Sequence, residues 1–250
     1  MNTKALYSLS SGLYVVGAKA SDRYDAQIAN TVVQLSSDPK LVSVCINKNN
    51  YTHDLIEQGG YFSVSVLSQD APMELIGVFG FHSGREVDKF ALVNPVYSIH
   101  GLPVLHEHCL GYLECRVQQS VDAATHTLYI GQLTDAAVYQ QGEAMTYAYY
   151  HEVKKGRSPK NAPTYRAEED PTVKPVKTGS YGKPAAPATP TPDQPAAGLQ
   201  RYTCPICGYI YDPAVGDPTH DVPAGTAFTA LPADWVCPVC STYPSLFEQD

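Results

Sequence analysis

Two pairs of cysteines near the C-terminal end of the chain have the spacing of a metal site. Cys204 and Cys207 form one C-x-x-C pair, and Cys237 and Cys240 form a second pair after a gap of 29 residues. Two such pairs can hold four thiolates tetrahedrally around one metal ion, and the tight turn in each pair lets backbone N–H groups donate to the sulfurs. The spacing alone leaves open whether that metal is a redox-active iron or the zinc of a structural ribbon.

The residues around the cysteines favour iron. A segment of about fifty residues is too small to fold on its core alone, so it needs the metal. It also carries aromatic residues that are dense enough to exclude water from an iron–thiolate site: Tyr202, Tyr209, Tyr211, Phe228, Trp235 and Phe247. Four stretches strongly resemble rubredoxin, at residues 202–213, 216–218, 223–228 and 231–240. The resemblance covers essentially all of residues 201–250 and implies one iron ion bound by the four cysteines.

Two departures from the rubredoxin pattern are visible in this segment. Ser241 stands where the family usually has Gly, and residues 219–222 replace a more Gly-rich loop. A serine in a left-handed backbone position costs about 1 kcal/mol. We therefore expect a small change in stability or in reduction potential, and no loss of a metal ligand.

A second set of candidate residues lies at the ends of predicted strands in the first 150 residues. Amide and hydroxyl side chains such as Asn30, Thr31 and Asn47 suit the polar edge of a flavin ring and its ribityl chain. Thr52 would open a helix, and helix N-termini favour phosphate. The cations that a phosphate needs are offered by Lys48, Arg85 and Lys89. Each of these residues also has a structural explanation, as a turn asparagine, a capping threonine or a solvated cation.

Taken together, these residues resemble the FMN-binding flavin reductases and flavoredoxins. The resemblance spans roughly residues 1–150 and is carried by segments 12–16, 30–31, 46–48 with 52–53, 62–67, 83–85 with 88–90, and 126–131. It implies a split β-barrel, usually a homodimer, that binds FMN and often oxidises NADH or NADPH. No G-x-G-x-x-G follows a strand and no P-loop is present, so a nucleotide would be bound without a Rossmann unit.

The resemblance to flavin reductases also assigns roles by position. The isoalloxazine ring would be contacted by Ala29, Asn30 and Thr31. The ribityl chain and the phosphate would be held by Asn47, Lys48, Thr52 and Lys89. His126 would approach the flavin or the nicotinamide, and the alternative for His126 is a structural histidine in the core or in a turn.

The elements that must position these side chains are mostly strands. Short β-branched or aromatic runs bounded by Gly, Pro, Asp or Asn predict strands at residues 13–16, 41–46, 61–67, 110–121, 128–131 and 133–139. Helices are predicted only at residues 3–10, 52–58 and 73–79. Many strands with few helices indicate a closed or nearly closed barrel. The predicted fold class is therefore mainly β, with an FMN-binding split β-barrel followed by a small rubredoxin iron-knuckle domain.

Composition divides the chain into three segments. Residues 1–155 carry the barrel pattern, residues 156–200 form a linker, and residues 201–250 form the iron domain. Nine of the chain's twenty prolines lie between Pro159 and Pro195. Because this stretch has no apolar period, we expect it to remain unpacked and to sample extended polyproline II conformations.

Charge bears on the partners of the chain. The net charge of −8 argues against nucleic acid, which requires a basic face. Basic and acidic residues number 10 and 15 in residues 1–155, 6 and 4 in residues 156–200, and 1 and 6 in residues 201–250. An acidic electron carrier is expected to dock on a partner with a complementary positive patch.

The same sequence features favour the cytoplasm. No apolar run approaches the roughly 18–20 residues that a membrane span needs. Ser8, Ser10 and Gly12 interrupt the apolar stretch that a signal peptide would require. The cysteines outside the two pairs, Cys45, Cys109 and Cys115, lie in apolar runs, and we expect them to be small core residues rather than disulfide partners.

The whole chain resembles the high-molecular-weight rubredoxins, in which a flavin reductase-like domain precedes a rubredoxin. This resemblance implies an oxidoreductase that takes a hydride from NADH or NADPH onto FMN, passes single electrons to iron, and delivers them to an external acceptor. The implied acceptor is a flavodiiron protein that reduces oxygen or nitric oxide. Two alternatives remain at this stage: an FMN/iron electron-transfer adaptor without its own NAD(P)H activity, and a flavin-binding scaffold that only docks partners.

Overall fold

The computed structural model of the chain describes residues 3–154, 156, 158, 162, 200–205, 207, 209–233, 235–238 and 243–249. The chain divides into two compact units, residues 1–165 and residues 166–250. Most of the predicted linker lies outside the described residues, and so does its predicted polyproline II conformation. Within the described residues, no helix combines the length and the apolar character needed to cross a bilayer.

The first unit is built on a seven-stranded antiparallel sheet. Its strands are β1 (Tyr14–Ala20), β2 (Arg23–Ala29), β3 (Val32–Ser37), β4 (Lys40–Asn47), β5 (Tyr61–Leu67), β8 (Cys109–Ala123) and β9 (His126–Val138). A two-stranded ribbon, β6 (Val96–Tyr97) with β7 (Pro103–Val104), follows β5 in the chain. The strand order in the large sheet is β2-β1-β5-β8-β9-β4-β3. The arrangement confirms the predicted mainly β class.

Helices cover this sheet and begin close to the positions that the sequence predicts. They are α1 (Tyr51–Gly59), α2 (Met73–Phe81) and α3 (Tyr147–Glu152), with 3-10 helices at Thr3–Ser8 and Lys89–Leu92. Helix α1 is capped at its C-terminal end by Gly60, whose φ of 71° is favoured by glycine, and the Gly60 N–H donates to the Ile56 carbonyl over 2.8 Å. The predicted helices at 52–58 and 73–79 are therefore confirmed, whereas α3 was not predicted.

Two apolar clusters use opposite faces of the sheet. Neighbouring residues of β1 show the alternation, because Val15 packs with Ile76 of α2 and Val16 packs with Leu55 of α1. Cys109 and Cys115 are fully buried, one in each cluster, and burial raises the pKa of both thiols to about 12. Both thiols therefore stay protonated and inert, as expected for core residues. The same expectation is wrong for Cys45, which is only partly buried.

The second unit is small and is held together by aromatic packing. A three-stranded sheet of two-residue strands has the order β11-β10-β12, with β10 at Tyr202–Thr203, β11 at Ile210–Tyr211 and β12 at Glu248–Gln249. Tyr211 and Trp235 are fully buried, and Phe228 stacks on Tyr202 with ring centroids 4.1 Å apart. The predicted aromatic core is therefore present.

Candidate functional site

The second unit brings predicted metal ligands together. The sulfurs of Cys204, Cys207 and Cys237 all lie within 4.8 Å of one another, and the Cys207 and Cys237 sulfurs are 3.5 Å apart. Cys204 and Cys237 are fully buried, whereas Cys207 is partly exposed. A cluster of soft thiolate donors of this kind fits iron or zinc. Cys240 and Ser241 lie outside the described residues, so the fourth ligand stays a prediction.

A hydrogen-bonded group next to the cysteines involves the loop that departs from the rubredoxin pattern. The carboxylate of Asp217 is only 2% exposed and accepts from Trp235 Nε1 over 2.8 Å. His220 Nδ1 lies 2.7 Å from the same carboxylate oxygen. The unusual His220 therefore supports the carboxylate that orients Trp235, two residues before the predicted ligand Cys237. The departure of this loop from the rubredoxin pattern is visible in the sequence, but the contact between His220 and Asp217 is not.

The first unit contains a cleft of roughly 310 Å³. Its polar side is formed by the end of β2, the end of β4 and the start of α1. Seven of the eight residues predicted to contact flavin or nicotinamide line it: Ala29, Asn30, Thr31, Asn47, Thr52, Lys89 and His126. The cleft therefore gathers residues that are as far as 97 positions apart in sequence, from 29 to 126. Its volume lies in the range of small-molecule sites.

Strand pairing and local turns explain how these polar groups meet. Asn47 pairs directly with His126 at the ends of β4 and β9. The Asn47 side chain accepts from the Asn49 N–H over 2.9 Å, which shapes the turn into α1. The Thr31 hydroxyl donates to the Cys45 carbonyl over 3.0 Å. His126 is buried, and its Nδ1 lies 2.8 Å from the Thr125 hydroxyl.

Lys48, the eighth predicted contact, lies elsewhere. Its ammonium forms an ion pair with Asp122 at 2.8 Å, and both side chains are well exposed. Asp122 belongs to the β8–β9 hairpin on the surface. The structure therefore does not bring Lys48 to the cleft with the other predicted contacts.

Thr52 and Lys89 are held at the cleft by a residue that sequence reasoning missed, Asp25. The Lys89 ammonium is 3.1 Å from Asp25 Oδ1 and donates to the Ala26 carbonyl over 2.6 Å. The Thr52 hydroxyl donates to Asp25 Oδ2 over 2.9 Å. Asp25 and Lys89 are each 3% exposed. Burial lowers the pKa of Lys89, while the Asp25 carboxylate acts in the opposite direction.

The Asp25 carboxylate also explains the glycine in the Ser83-Gly84-Arg85 motif. A Cβ built on Gly84 would overlap the Asp25 carboxylate, so only glycine allows this close approach. Asp25, Lys89 and Gly84 all line the cleft. The motif is therefore part of the same wall, and the Lys89 ammonium is already balanced by the Asp25 carboxylate.

Another part of the cleft lining is apolar and aromatic. It includes Leu13, Ile76, Phe79, Tyr147 and Tyr150. An isoalloxazine ring has one polar edge, rich in carbonyl and N–H groups, and one apolar edge. A cleft lined both by amides and hydroxyls and by aromatic side chains fits that chemistry.

The chain matches known families along most of its length. The flavin reductase like domain family matches residues 6–156, and the rubredoxin family matches residues 201–247. A high molecular weight rubredoxin of Moorella thermoacetica is 48% identical over 249 residues, which covers 100% of both chains. A ferric-chelate reductase (NAD(P)H) of Archaeoglobus fulgidus is 42% identical over 165 residues, which covers 66% of this chain and 98% of that protein. A solved NADH:FAD oxidoreductase of Streptomyces globisporus is 25% identical, has a TM-score of 0.52, and aligns over 57% of this chain and 84% of its own.

Proposed function

The chain belongs to the flavin reductase-like family, carries a C-terminal rubredoxin domain and shares this organisation with a high molecular weight rubredoxin; on that premise we propose that it moves electrons from NADH or NADPH through FMN and iron to an external acceptor. One observation carries the proposal. The same chain holds a cleft suited to a flavin and a cluster of thiolates suited to iron. The two sites together make a relay, whereas either site alone would not.

The order of the relay follows from electron counting. A bound flavin accepts two electrons as hydride and releases them singly, which is the conversion that a nicotinamide donor and a one-iron acceptor require. The iron domain is therefore the outlet. A covalent link between the units is useful only in that arrangement, since an enzyme that released free reduced flavin would need no attached iron carrier.

The residues of the cleft have distinct proposed roles in holding the flavin. We assign the polar edge of the ring to Asn30 and Thr31, and the ribityl chain to Asn47, because their amides and hydroxyl lie on the polar side. Thr52 stands in the first turn of α1, where backbone N–H groups favour an anion. The Asp25–Lys89 pair is nearly neutral as a whole, so the phosphate would depend more on α1 than on a free lysine. FMN, rather than FAD, is our proposal for the flavin.

The electron donor is assigned to NADH or NADPH. The relative from Archaeoglobus fulgidus carries NAD(P)H in its name and is 42% identical over 165 residues, which supports the same donor class here. His126 lines the cleft beside Asn47, so we propose that it contacts the flavin or the nicotinamide. A structural role for His126 in the turn is the competing explanation.

The acceptor is proposed to be a redox protein with a basic docking patch. Residues 201–250 carry one basic and six acidic residues, so complementary charge would guide docking and salt would weaken it. Following the resemblance to high-molecular-weight rubredoxins, we propose a flavodiiron protein as the acceptor, a homodimer as the assembly and the cytoplasm as the location.

Anaerobic mixing of the FMN- and iron-loaded protein with NADH or NADPH tests the proposal. After mixing, the absorbance of the flavin should decrease first, and the absorbance of the iron–thiolate site should decrease after it. If neither nucleotide bleaches either centre, and a separate reductase is needed, the chain is an electron-transfer adaptor. A variant with Cys237→Ser provides the matched control, because its flavin should still bleach.

A further inference from the structure

The chain that follows β9 returns to the cleft and forms one of its walls. We define the C-terminal wall as Tyr147, Tyr150, Gly156, Ser158 and Ala162. Four of these residues line the cleft, and the fifth, Gly156, lies directly against the Tyr150 ring. The wall therefore extends past residue 155, where the sequence pattern of the barrel ends.

Backbone hydrogen bonds attach the start of the wall to the sheet. The Leu13 N–H donates to the Met145 carbonyl, and the Met145 N–H donates to the Leu67 carbonyl, each over 2.8 Å. The Tyr147 N–H donates to the Ser11 carbonyl over 2.8 Å. A helix as short as α3 is not stable alone. Its position is therefore set by these attachments to β5 and to the residues that precede β1.

The second part of the wall is fixed on the tyrosines of α3. The Gly156 N–H donates to the Tyr150 carbonyl over 3.0 Å, and a Cβ built on Gly156 would overlap the Tyr150 ring. The Tyr147 and Ser158 hydroxyls form a hydrogen bond. Lys154 donates to the Ala71 carbonyl over 2.8 Å, which ties the same stretch to the connection between β5 and α2. Tyr147 and Tyr150 are therefore held in place by the chain that comes after them.

We propose that the C-terminal wall positions the flavin, with Tyr147 and Tyr150 packing against the apolar part of the ring and excluding water from it. This inference rests on the proposed function. The two tyrosine rings are close to parallel, with an interplanar angle of 29° and centroids 6.2 Å apart. They line the cleft together with Ile76 and Phe79 and belong to the same apolar cluster. Large, rigid aromatic side chains give the greatest contact area to a flat ligand.

A consequence for the relay follows from this position. The wall precedes the segment that leads to the iron domain, so the flavin site and the start of that segment share residues. Substitutions there should change flavin affinity although they lie outside the sheet. If the wall has only a structural role, these substitutions should change the unfolding temperature of the flavin-free protein and not the flavin affinity.

Gly156→Ala in the full-length protein tests the inference. The added methyl group must displace the Tyr150 ring, so we expect the FMN dissociation constant to rise by about tenfold or more. The fluorescence of bound FMN should also increase, because fewer aromatic contacts quench it. Gly142→Ala is the matched control: its Cβ would meet only the end of the Leu110 side chain, at 2.9 Å, and Gly142 does not line the cleft. This control should bind FMN like the unchanged protein.

A second variant keeps the inference open to refutation if Gly156→Ala fails to fold. Tyr147→Leu removes one aromatic ring and should raise both the dissociation constant and the bound-flavin fluorescence, with the far-ultraviolet circular dichroism unchanged. Unchanged FMN affinity and fluorescence in every folded wall variant would overturn the inference and leave the proposed function standing. If the unchanged protein itself binds no FMN, the proposed function fails as well.

Discussion

Replacing Asp25 with asparagine should strongly destabilise the first unit. The new side chain keeps the shape of the old one, but it removes the charge that faces the Lys89 ammonium at 3.1 Å. Lys89 is 3% exposed, so water cannot replace the lost partner. Removing one partner of a buried ion pair typically costs about 3–5 kcal/mol.

The cost of deprotonating Lys89 gives a similar value for the loss of stability. Lys89 can relieve its unpaired charge by losing a proton. From an ordinary lysine pKa near 10.4, deprotonation at pH 7 costs roughly 4–5 kcal/mol at 1.36 kcal/mol per unit. This sets an upper limit on the penalty from the charge, because the neutral amine can still donate to the Ala26 carbonyl.

The pH dependence supplies an independent check. Without Asp25 to oppose burial, the pKa of Lys89 in the folded protein should fall further below its unfolded value. Between those two pKa values the unfolded chain binds more protons, so the stability of the variant rises with pH up to roughly pH 10. The difference between the variant and the unchanged protein should therefore be largest near neutral pH and should shrink in alkali.

Urea unfolding followed by far-ultraviolet circular dichroism measures the loss in the first unit. Trp235 is the only tryptophan in the sequence and belongs to the second unit. Its fluorescence therefore follows the unfolding of that unit, whose midpoint should not change and serves as an internal control. Asp25→Asn combined with Lys89→Met should recover most of the lost stability. A loss below about 1 kcal/mol, or additive effects of the two substitutions, would refute the account of a coupled buried pair.

Three further predictions concern the two centres. Cys237→Ser should abolish or distort iron binding and lower the unfolding temperature of the second unit alone, as measured by metal analysis and by Trp235 fluorescence. Lys48→Ala should leave the FMN dissociation constant within about twofold, because its ammonium binds Asp122 at the surface; a larger change would place Lys48 at the flavin. A chain truncated after residue 165 should retain FMN and oxidise NADH with an artificial acceptor, but should reduce the acceptor protein poorly in a coupled assay; full reduction would show that flavin is the exit.

The iron site can be predicted from the sequence because the residues that form it lie close together in the chain. Each C-x-x-C pair is one turn, and the aromatic residues of the small core lie within the same fifty positions. The fold class was also predictable, since β-branched runs alternate with turn residues along the first unit. Strands β2, β3, β6 and β7 are not predicted, and the single strand β9 is predicted as two. Strand β2 escapes prediction because it contains Arg23, Asp25 and Gln27 and does not show the apolar pattern of a strand.

The cleft was only partly predictable for a physical reason. A buried carboxylate such as Asp25 is tolerated when a cation compensates it, and that cation is Lys89, 64 positions away. Nothing in either local sequence reveals the pair. Lys48 is the opposite case: it adjoins Asn47 in the chain but does not line the cleft. It follows the end of β4, where the direction of a side chain depends on the turn. The α3 tyrosines were missed because their short helix depends on attachments to β5 and to the residues that precede β1.

The C-terminal wall limits where such a chain can recombine. A natural exchange of electron carriers between relatives, or a designed chimera, must keep the flavin cleft complete on one side of the crossover point. A junction just after Val138, the last residue of β9, would replace Tyr147, Tyr150, Ser158 and Ala162, all of which line the cleft. A junction beyond Ala162 preserves them. The two units are therefore separable modules only if the joint lies well inside the segment that composition alone marks as spacer.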